Sequence, residues 1–295
     1  VPFGAGTSLE GHVIPLRGGI SLDLTRLNRI VAIRPEDLTA TVQAGVTRKQ
    51  LEAATGPQGL WFPVDPGADA TLGGMAATNA SGTTTVRYGG MRTHVLELEV
   101  VLAGGRVIRA GSRAVKTSAG YHVAGLFVGS EGTLGVITEL TLRLHPIPEH
   151  IVVARAAFPS VEAACRAAGT LIAAGVQLTR CELLDAMTIA ALNAFAGKDF
   201  PVSPYLFLEL GGTEAAVAGD LETARELVGD EGATSFEAEA DPTARAQMWA
   251  MRHNALMASL ALAPGSKAMT TDVAVPVSEL PGAIEFTKQL AGEGV

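Results

Sequence analysis

Residues 63–82 read Pro63-Val64-Asp65-Pro66-Gly67-Ala68-Asp69-Ala70-Thr71-Leu72-Gly73-Gly74-Met75-Ala76-Ala77-Thr78-Asn79-Ala80-Ser81-Gly82, with Tyr88-Gly89-Gly90 close behind. Small residues at nearly every position leave room for a large flat ligand to lie against the backbone. A tight helix contact makes the same demand, so Gly73-Gly74 alone decides nothing. Two further segments share this character. Pro2-Phe3-Gly4-Ala5-Gly6-Thr7-Ser8-Leu9-Glu10-Gly11 clusters glycines and hydroxyls that can turn several backbone N–H groups inward on an anion. It has neither the Gly-Lys-Ser/Thr of a Walker loop nor the spacing of a dinucleotide fingerprint, and an ordinary glycine turn stays open as its alternative. Gly129-Ser130-Glu131-Gly132-Thr133-Leu134-Gly135-Val136-Ile137 is a compact loop leading straight into a strand, which by itself reads as a hairpin turn.

The rest of the chain sets the frame. It has 295 residues, 47% hydrophobic, 18% charged and 5% aromatic, a globular composition long enough for two domains with their own cores. Lys and Arg number 22 against 30 Asp and Glu, for a net charge of −8, and the basic residues are scattered singly, which argues against a nucleic-acid track. Two cysteines, Cys165 and Cys181, without a CxxC pair, argue for a reducing compartment and against a disulfide or zinc scaffold. No apolar run reaches the ~18–20 residues of a membrane span. The start, Val1-Pro2-Phe3-Gly4, has no signal-peptide pattern and no initiator Met, so the chain looks cut from a longer one. Of 34 glycines, 22 lie in residues 1–135, and the Pro-bracketed His145-Pro146-Ile147-Pro148-Glu149-His150 marks the change of composition. The expected domains are 1–147 and 148–295.

Period and turn signals predict an α+β protein. The first half is expected to alternate short strands (30–33, 39–43, 95–102, 136–144) with glycine loops and a short helix at 48–54. A hairpin is expected to join 98–102 to 106–109 through Ala103-Gly104-Gly105. In the second half the pattern predicts strands at 151–158, 205–210, 234–238 and 268–275, with helices at 161–174, 184–195, 214–228 and 243–262.

Taken in this order and spacing, the three small-residue segments resemble the FAD-binding domain of the vanillyl-alcohol-oxidase superfamily. This is the PCMH-type domain, in the D-lactate dehydrogenase and glycolate oxidase branch. The resemblance covers essentially the whole chain. It implies a PCMH-type FAD-binding domain followed by a mixed α+β substrate-capping domain with a ferredoxin-like sheet. It assigns the FAD pyrophosphate to Gly4, Ala5, Gly6, Thr7 and Ser8. Pro66, Gly73, Gly74, Ala77, Ser81, Gly82 and Tyr88 fall beside the cofactor, with Glu131, Gly132, Leu134 and Ile137 in the closing loop. Thr7-Ser8 stands where relatives with covalent flavin carry a histidine, so the FAD is expected to be non-covalent.

In the second half the resemblance runs through Trp249-Ala250-Met251-Arg252-His253-Asn254, Pro264-Gly265-Ser266-Lys267 and Thr271-Asp272-Val273-Ala274-Val275-Pro276. It implies that Arg252 and Lys267 hold the carboxylate of a 2-hydroxy acid. A planar fork and a point charge suit that task. Trp249, one turn before Arg252, is read either as a pocket wall or as core packing. The implied activity is oxidation of a D-2-hydroxy acid, D-lactate first, by hydride transfer to flavin. Electrons would pass to a cytochrome, quinone or electron-transfer flavoprotein. Glycolate and D-2-hydroxyglutarate are the alternative substrates, and a non-catalytic FAD electron-carrier subunit is the alternative role.

No metal ligand is expected in this chain, since His12, His94, His122, His145, His150 and His253 show no zinc spacing. The family places divalent-metal ligands downstream of Val295 and part of the flavin domain upstream of Val1, so this segment alone is expected to turn over little. The implied location is cytoplasmic or peripheral at the respiratory membrane. Cys165 and Cys181 read as buried small hydrophobes on helical faces, and Glu182 and Asp185 as carboxylates that cap or solvate one helix.

Overall fold

The computed structural model describes residues 1–8, 11–268 and 272–292, and the chain divides into two compact units, Val1–Ile147 and Pro148–Val295. The first is built on a five-stranded sheet of β1 (Ile30–Arg34), β2 (Thr39–Gln43), β3 (Val95–Val101), β4 (Val107–Gly111) and β5 (Val136–Arg143), in the order β1-β2-β5-β3-β4. Every pairing is antiparallel, and register explains why the sheet has a dry face and a wet one. Val42, Leu140, Leu98 and Ala110 stand opposite one another across four strands, and all four are buried. One residue along, Gln43, Glu139, Glu99 and Arg109 line up on the other face, where the Arg109 guanidinium bridges Glu99 and Glu139 at 3.0 Å each. The expected hairpin is present, closed by the Gly105 N–H on the Leu102 carbonyl.

Helices cover the dry face. α1 (Arg48–Thr55) begins with a reciprocal capping box between Thr47 and Gln50 and buries Leu51. α2 (Leu72–Ala77) buries Leu72, Gly73, Met75 and Ala76 and leaves Gly74 exposed. Gly73 is required by packing, because a Cβ there would lie 2.5 Å from the Ala44 Cβ and 2.9 Å from its carbonyl oxygen. His145 and Pro146, from the Pro-bracketed stretch at the change of composition, pair with Leu60 and Trp61 as a short antiparallel bridge within this unit.

The second unit carries a four-stranded antiparallel sheet of β6 (His150–Ala157), β7 (Leu178–Leu184), β8 (Tyr205–Gly212) and β9 (Ser235–Glu239), in the order β7-β8-β6-β9. With α3 (Val161–Ala173) after β6 and α5 (Glu214–Asp230) after β8, this is the ferredoxin-like βαββαβ arrangement, with α4 (Ala186–Ala196) inserted between β7 and β8. The α3/α5 face is apolar: Cys181, Leu208 and Ala154 form one row, Leu183, Leu206, Ala156 and Phe236 the next. α5 docks through Val217, Ala224 and Val228, with Leu221 partly buried beside them.

The opposite face mixes apolar and charged side chains under α4, α6 (Pro242–His253) and α7 (Ala255–Ala261). Three sequence expectations are corrected here. Residues 178–184 form a strand, so Cys181 and Glu182 lie on β7. Asp185 alone caps α4, accepting from the Thr188 N–H at 2.9 Å. The expected helix over 243–262 is two helices that meet at Asn254, whose N–H closes the first on the Ala250 carbonyl. The expected strand at 268–275 is absent from its described part: residues 272–275 have no regular structure, and 269–271 lie outside the described residues. The last element among the described residues is α8 (Leu280–Gly292).

Candidate functional site

Three segments far apart in the first unit meet at one place. A Cβ on Gly4 would lie 2.2 Å from the Thr71 hydroxyl, which stands at the start of α2, so the first loop rests directly on the second segment. The third segment closes on both: the Gly129 and Glu131 N–H groups donate to the Ala76 and Ala77 carbonyls at 2.9 Å, and a Cβ on Gly132 would lie 2.9 Å from the Pro2 ring. Asn79 and Glu131, two of the non-glycine residues with left-handed backbone, sit at this junction with φ of 51° and 52°. Such backbone is uncommon outside glycine and concentrates where geometry serves a ligand.

What this arrangement offers is mostly backbone. Among the described residues, no hydrogen bond engages the main-chain N–H groups of Gly4 to Ser8, and Ala5, Gly6 and Thr7 are exposed. Gly6 is left-handed at φ 66° and stacked so closely over Phe3 that a Cβ would lie 2.9 Å from the ring. The Ser130 hydroxyl oxygen is buried with no partner among the described residues, and such an orphan is unfavourable unless a ligand or water satisfies it. These features fit an anionic, flat cofactor of the FAD kind. Gly4 to Ser8, Gly74 and Ser130 would hold it, with Leu134, half exposed, offering apolar contact. Leu9 and Glu10 of the first loop lie outside the described residues.

The sequence reading did not single out His12 or Ser130. The His12 Nε2 lies 2.8 Å from the Ser8 hydroxyl, and its Nδ1 lies 3.9 Å from the Glu131 carboxylate, so one ring links the first loop to the third. Only its position one residue after Gly11 could have hinted at this. Some assigned residues serve the protein itself. Ile137 is buried in the core of the unit. Gly82 is packed on Asp65, where a Cβ would lie 2.5 Å from the backbone oxygen. Pro66 is partly exposed on the preceding loop, as Ala77 is on α2, and Ser81 is exposed.

Tyr88 belongs to an aromatic cluster, edge-on to Trp61 at 5.4 Å and to His145 at 4.8 Å. His145 in turn meets His94, Nε2 to Nε2, at 3.1 Å. The His94 Nδ1 faces the Gly90 carbonyl at 2.9 Å and must donate to it, so its Nε2 accepts from His145. Burial lowers both rings. His145 is pushed down to about 4 by burial, then by the facing His94 ring and by Arg143 and Arg87.

The second unit brings its residues together through charge. Arg252 on α6 donates from Nε to the Glu182 carboxylate on β7 at 2.6 Å. Trp249 is 7% exposed and packs in the core under α6, its indole N–H donating to the Glu209 carboxylate at 2.7 Å, with Arg180 stacked 5.0 Å from its ring. Of the two readings of Trp249, core packing matches these surroundings. Glu209 on β8 also accepts from Arg180 at 3.1 Å, the pairing a carboxylate buried in mid-strand needs. Lys267 is exposed in the segment after α7 and makes no ion pair or hydrogen bond among the described residues. The structure therefore anchors Arg252 and does not join it to Lys267; Thr271 lies outside the described residues. Burial raises both thiols, Cys181 to about 12, so neither is a nucleophile at neutral pH. Among the described residues no group of three His, Cys, Asp or Glu side chains is placed to hold a metal, and no helix is long and apolar enough to cross a membrane.

The whole chain is similar to known proteins. An FAD binding domain model matches residues 1–111, and the model for the C-terminal domain of FAD linked oxidases matches residues 147–295, half of the chain. The chain belongs to the FAD-linked oxidases. It is 48% identical over 291 residues to "Probable D-lactate dehydrogenase, mitochondrial" of Danio rerio, matching 98% of this chain and 59% of that protein. It is 42% identical to "D-lactate dehydrogenase [cytochrome], mitochondrial" of Arabidopsis thaliana, over 98% of this chain and 51% of that protein. Glycolate oxidase subunit GlcD of Escherichia coli (strain K12) is 35% identical, over 99% of this chain and 58% of that protein. The chain thus spans between half and two thirds of the length of these relatives. Among solved structures, an alkyldihydroxyacetonephosphate synthase matches the whole chain and 61% of its own with a TM-score of 0.78 at 21% identity, a likeness of fold.

Proposed function

We propose that this FAD-linked oxidase chain is part of a dehydrogenase that oxidises a D-2-hydroxy acid, D-lactate first, to the 2-oxo acid. The observation that carries the reading is the meeting of three small-residue segments around backbone N–H groups and a Ser130 hydroxyl that have no partner among the described residues, in a family whose relatives at 48% and 42% identity are named D-lactate dehydrogenases. Non-covalent FAD, when bound, supplies the hydride acceptor. The chain's own residues do the rest. The amides of Gly4 to Ser8 bind the diphosphate, and the loop at Glu131 and Gly132 closes over it. Arg252 offers its guanidinium fork to the substrate carboxylate and Lys267 adds a positive point charge. Fixing the carboxylate orients the C2 hydrogen, and orientation of this kind supplies much of the rate. Electrons then leave to a cytochrome, quinone or electron-transfer flavoprotein, a class supported by the word cytochrome in the Arabidopsis relative's name. The residues that serve this chemistry lie in a cytoplasmic-type reducing environment or at the surface of a respiratory membrane.

A second substrate, glycolate, is favoured by the GlcD relatives at 34–35% identity. The test is anaerobic mixing of the complete flavoprotein with D-lactate, L-lactate and glycolate while the visible flavin absorbance is followed. D-lactate is expected to bleach it and L-lactate not. Faster bleaching by glycolate would move the substrate to that acid. Bleaching by no 2-hydroxy acid would leave an electron-carrying subunit in place of a dehydrogenase.

A further inference from the structure

The reading of Arg252 as a carboxylate clamp leaves open what aims a long side chain with several free torsions. Its surroundings on the sheet answer this. Glu182 lies on the β7 face turned away from α3 and α5, and its carboxylate accepts from Arg252 at Nε, the inner edge of the guanidinium. The two outer Nη groups make no hydrogen bond among the described residues. The side chain of Arg252 is 35% exposed and that of Glu182 18%, so the pair is partly screened by protein and partly open to solvent. The edge left without a partner is one of the two that can grip a carboxylate with two parallel N–H bonds.

One helical turn earlier, Trp249 is fixed to Glu209 on the neighbouring strand. In register, Glu182 faces Phe207 and Glu209 faces Arg180, so both carboxylates lie on the same face of adjacent strands. Two successive turns of α6 are thus tied to the sheet by acid–donor bonds. The structural need for a tie is met at Trp249, where the bond is buried. At Arg252 the bond is only part-buried and takes Nε, which leaves the end-on Nη1/Nη2 edge for a bidentate contact.

We propose that Glu182 is a positioning residue for substrate binding, holding the Nε edge of Arg252 so that its Nη edge faces an incoming organic carboxylate. This rests on the dehydrogenase reading above. The experiment uses the complete, FAD-loaded protein with D-lactate as substrate. Glu182→Gln is expected to raise KM roughly tenfold, equivalent to about 1.4 kcal/mol, with kcat within about twofold and the melting temperature nearly unchanged. Glu182→Asp, which keeps the charge at shorter reach, is expected to fall between the two and serves if the glutamine variant does not fold. In an Arg252→Lys background, where there is no Nε edge to hold, Glu182→Gln is expected to change KM no further.

Glu237→Gln, which removes the partner of Arg155 on the same sheet face, is the control and is expected to leave KM alone. An unchanged KM in both Glu182 variants overturns the inference and leaves the dehydrogenase reading intact, as does an equal rise in Glu237→Gln or a further rise on the lysine background. If wild-type protein is not reduced by D-lactate or another 2-hydroxy acid, the reading and the inference fall together.

Discussion

The two units carry their candidate sites in different materials. In Val1–Ile147 the candidate site is made from what side chains leave out: amides at Gly4 to Ser8 with no partner among the described residues, an exposed glycine on α2 and left-handed backbone at Glu131. In the second unit it is made from a charged side chain that the sheet holds by pairing, Arg252 with Glu182, beside the buried structural tie of Glu209 to Trp249 and Arg180. A backbone site tolerates almost any side chain that takes up no space and fails when a methyl is added. A side-chain site tolerates added volume at its rim and fails when a charge is removed. The lesson is that the first kind is written in composition and the second in long-range pairing.

That contrast can be broken most severely at Gly73. Gly73→Ala drives a methyl into Ala44 and is expected to destabilise the protein by about 1–3 kcal/mol and to displace α2 enough to lose flavin. Denaturant unfolding and the flavin-to-protein absorbance ratio measure both, and a stable yellow variant would mean the close packing is dispensable. On the charged side, Arg252→Ala is expected to lower kcat/KM for D-lactate by roughly 100-fold while flavin stays bound. Loss of flavin together with activity would erase the division between the units.

The uneven legibility of the sequence follows from the same difference. The hairpin at Ala103-Gly104-Gly105 and the three glycine segments were readable because turns and close approaches restrict residue type locally. β7 was not, because Leu178-Thr179-Arg180-Cys181-Glu182-Leu183-Leu184 has apolar side chains on one face and mixed ones on the other, and a register shift after Leu178 breaks the alternation further. Without that strand, Glu182 looked like a helix residue beside Asp185. The break at Asn254 was hidden because the apolar pattern continues through both helices. Ile137 and Trp249 show the reverse limit: a residue next to a ligand-binding motif and a residue in the core have the same composition, and only burial separates them.

Two smaller effects sharpen the comparison. Trp249→Phe keeps the ring and removes the N–H, leaving Glu209 one donor short, and is expected to lower stability by about 1–3 kcal/mol with KM moved less than by Glu182→Gln. Unfolding and steady-state kinetics on the same preparation separate the two. The pair His94–His145 sets a pH limit on the first unit. His145 titrates at about 4 in the folded protein against 6.5 when free, so below pH 6.5 the unfolded chain takes up a proton that the folded one refuses. Its contribution is full above pH 6.5 and is lost as the pH falls toward 4. His145→Gln is expected to flatten the decline in melting temperature across that window by a few degrees, and a decline as steep as wild type would assign it to other groups.

On the proposed function, amides of the first unit hold a diphosphate. The most direct measurement is titration of the complete protein, stripped of flavin, with FAD and with riboflavin, followed by flavin fluorescence. The account predicts that FAD binds at least about 100-fold more tightly, since riboflavin offers no anion to those N–H groups. Equal affinities would contradict it.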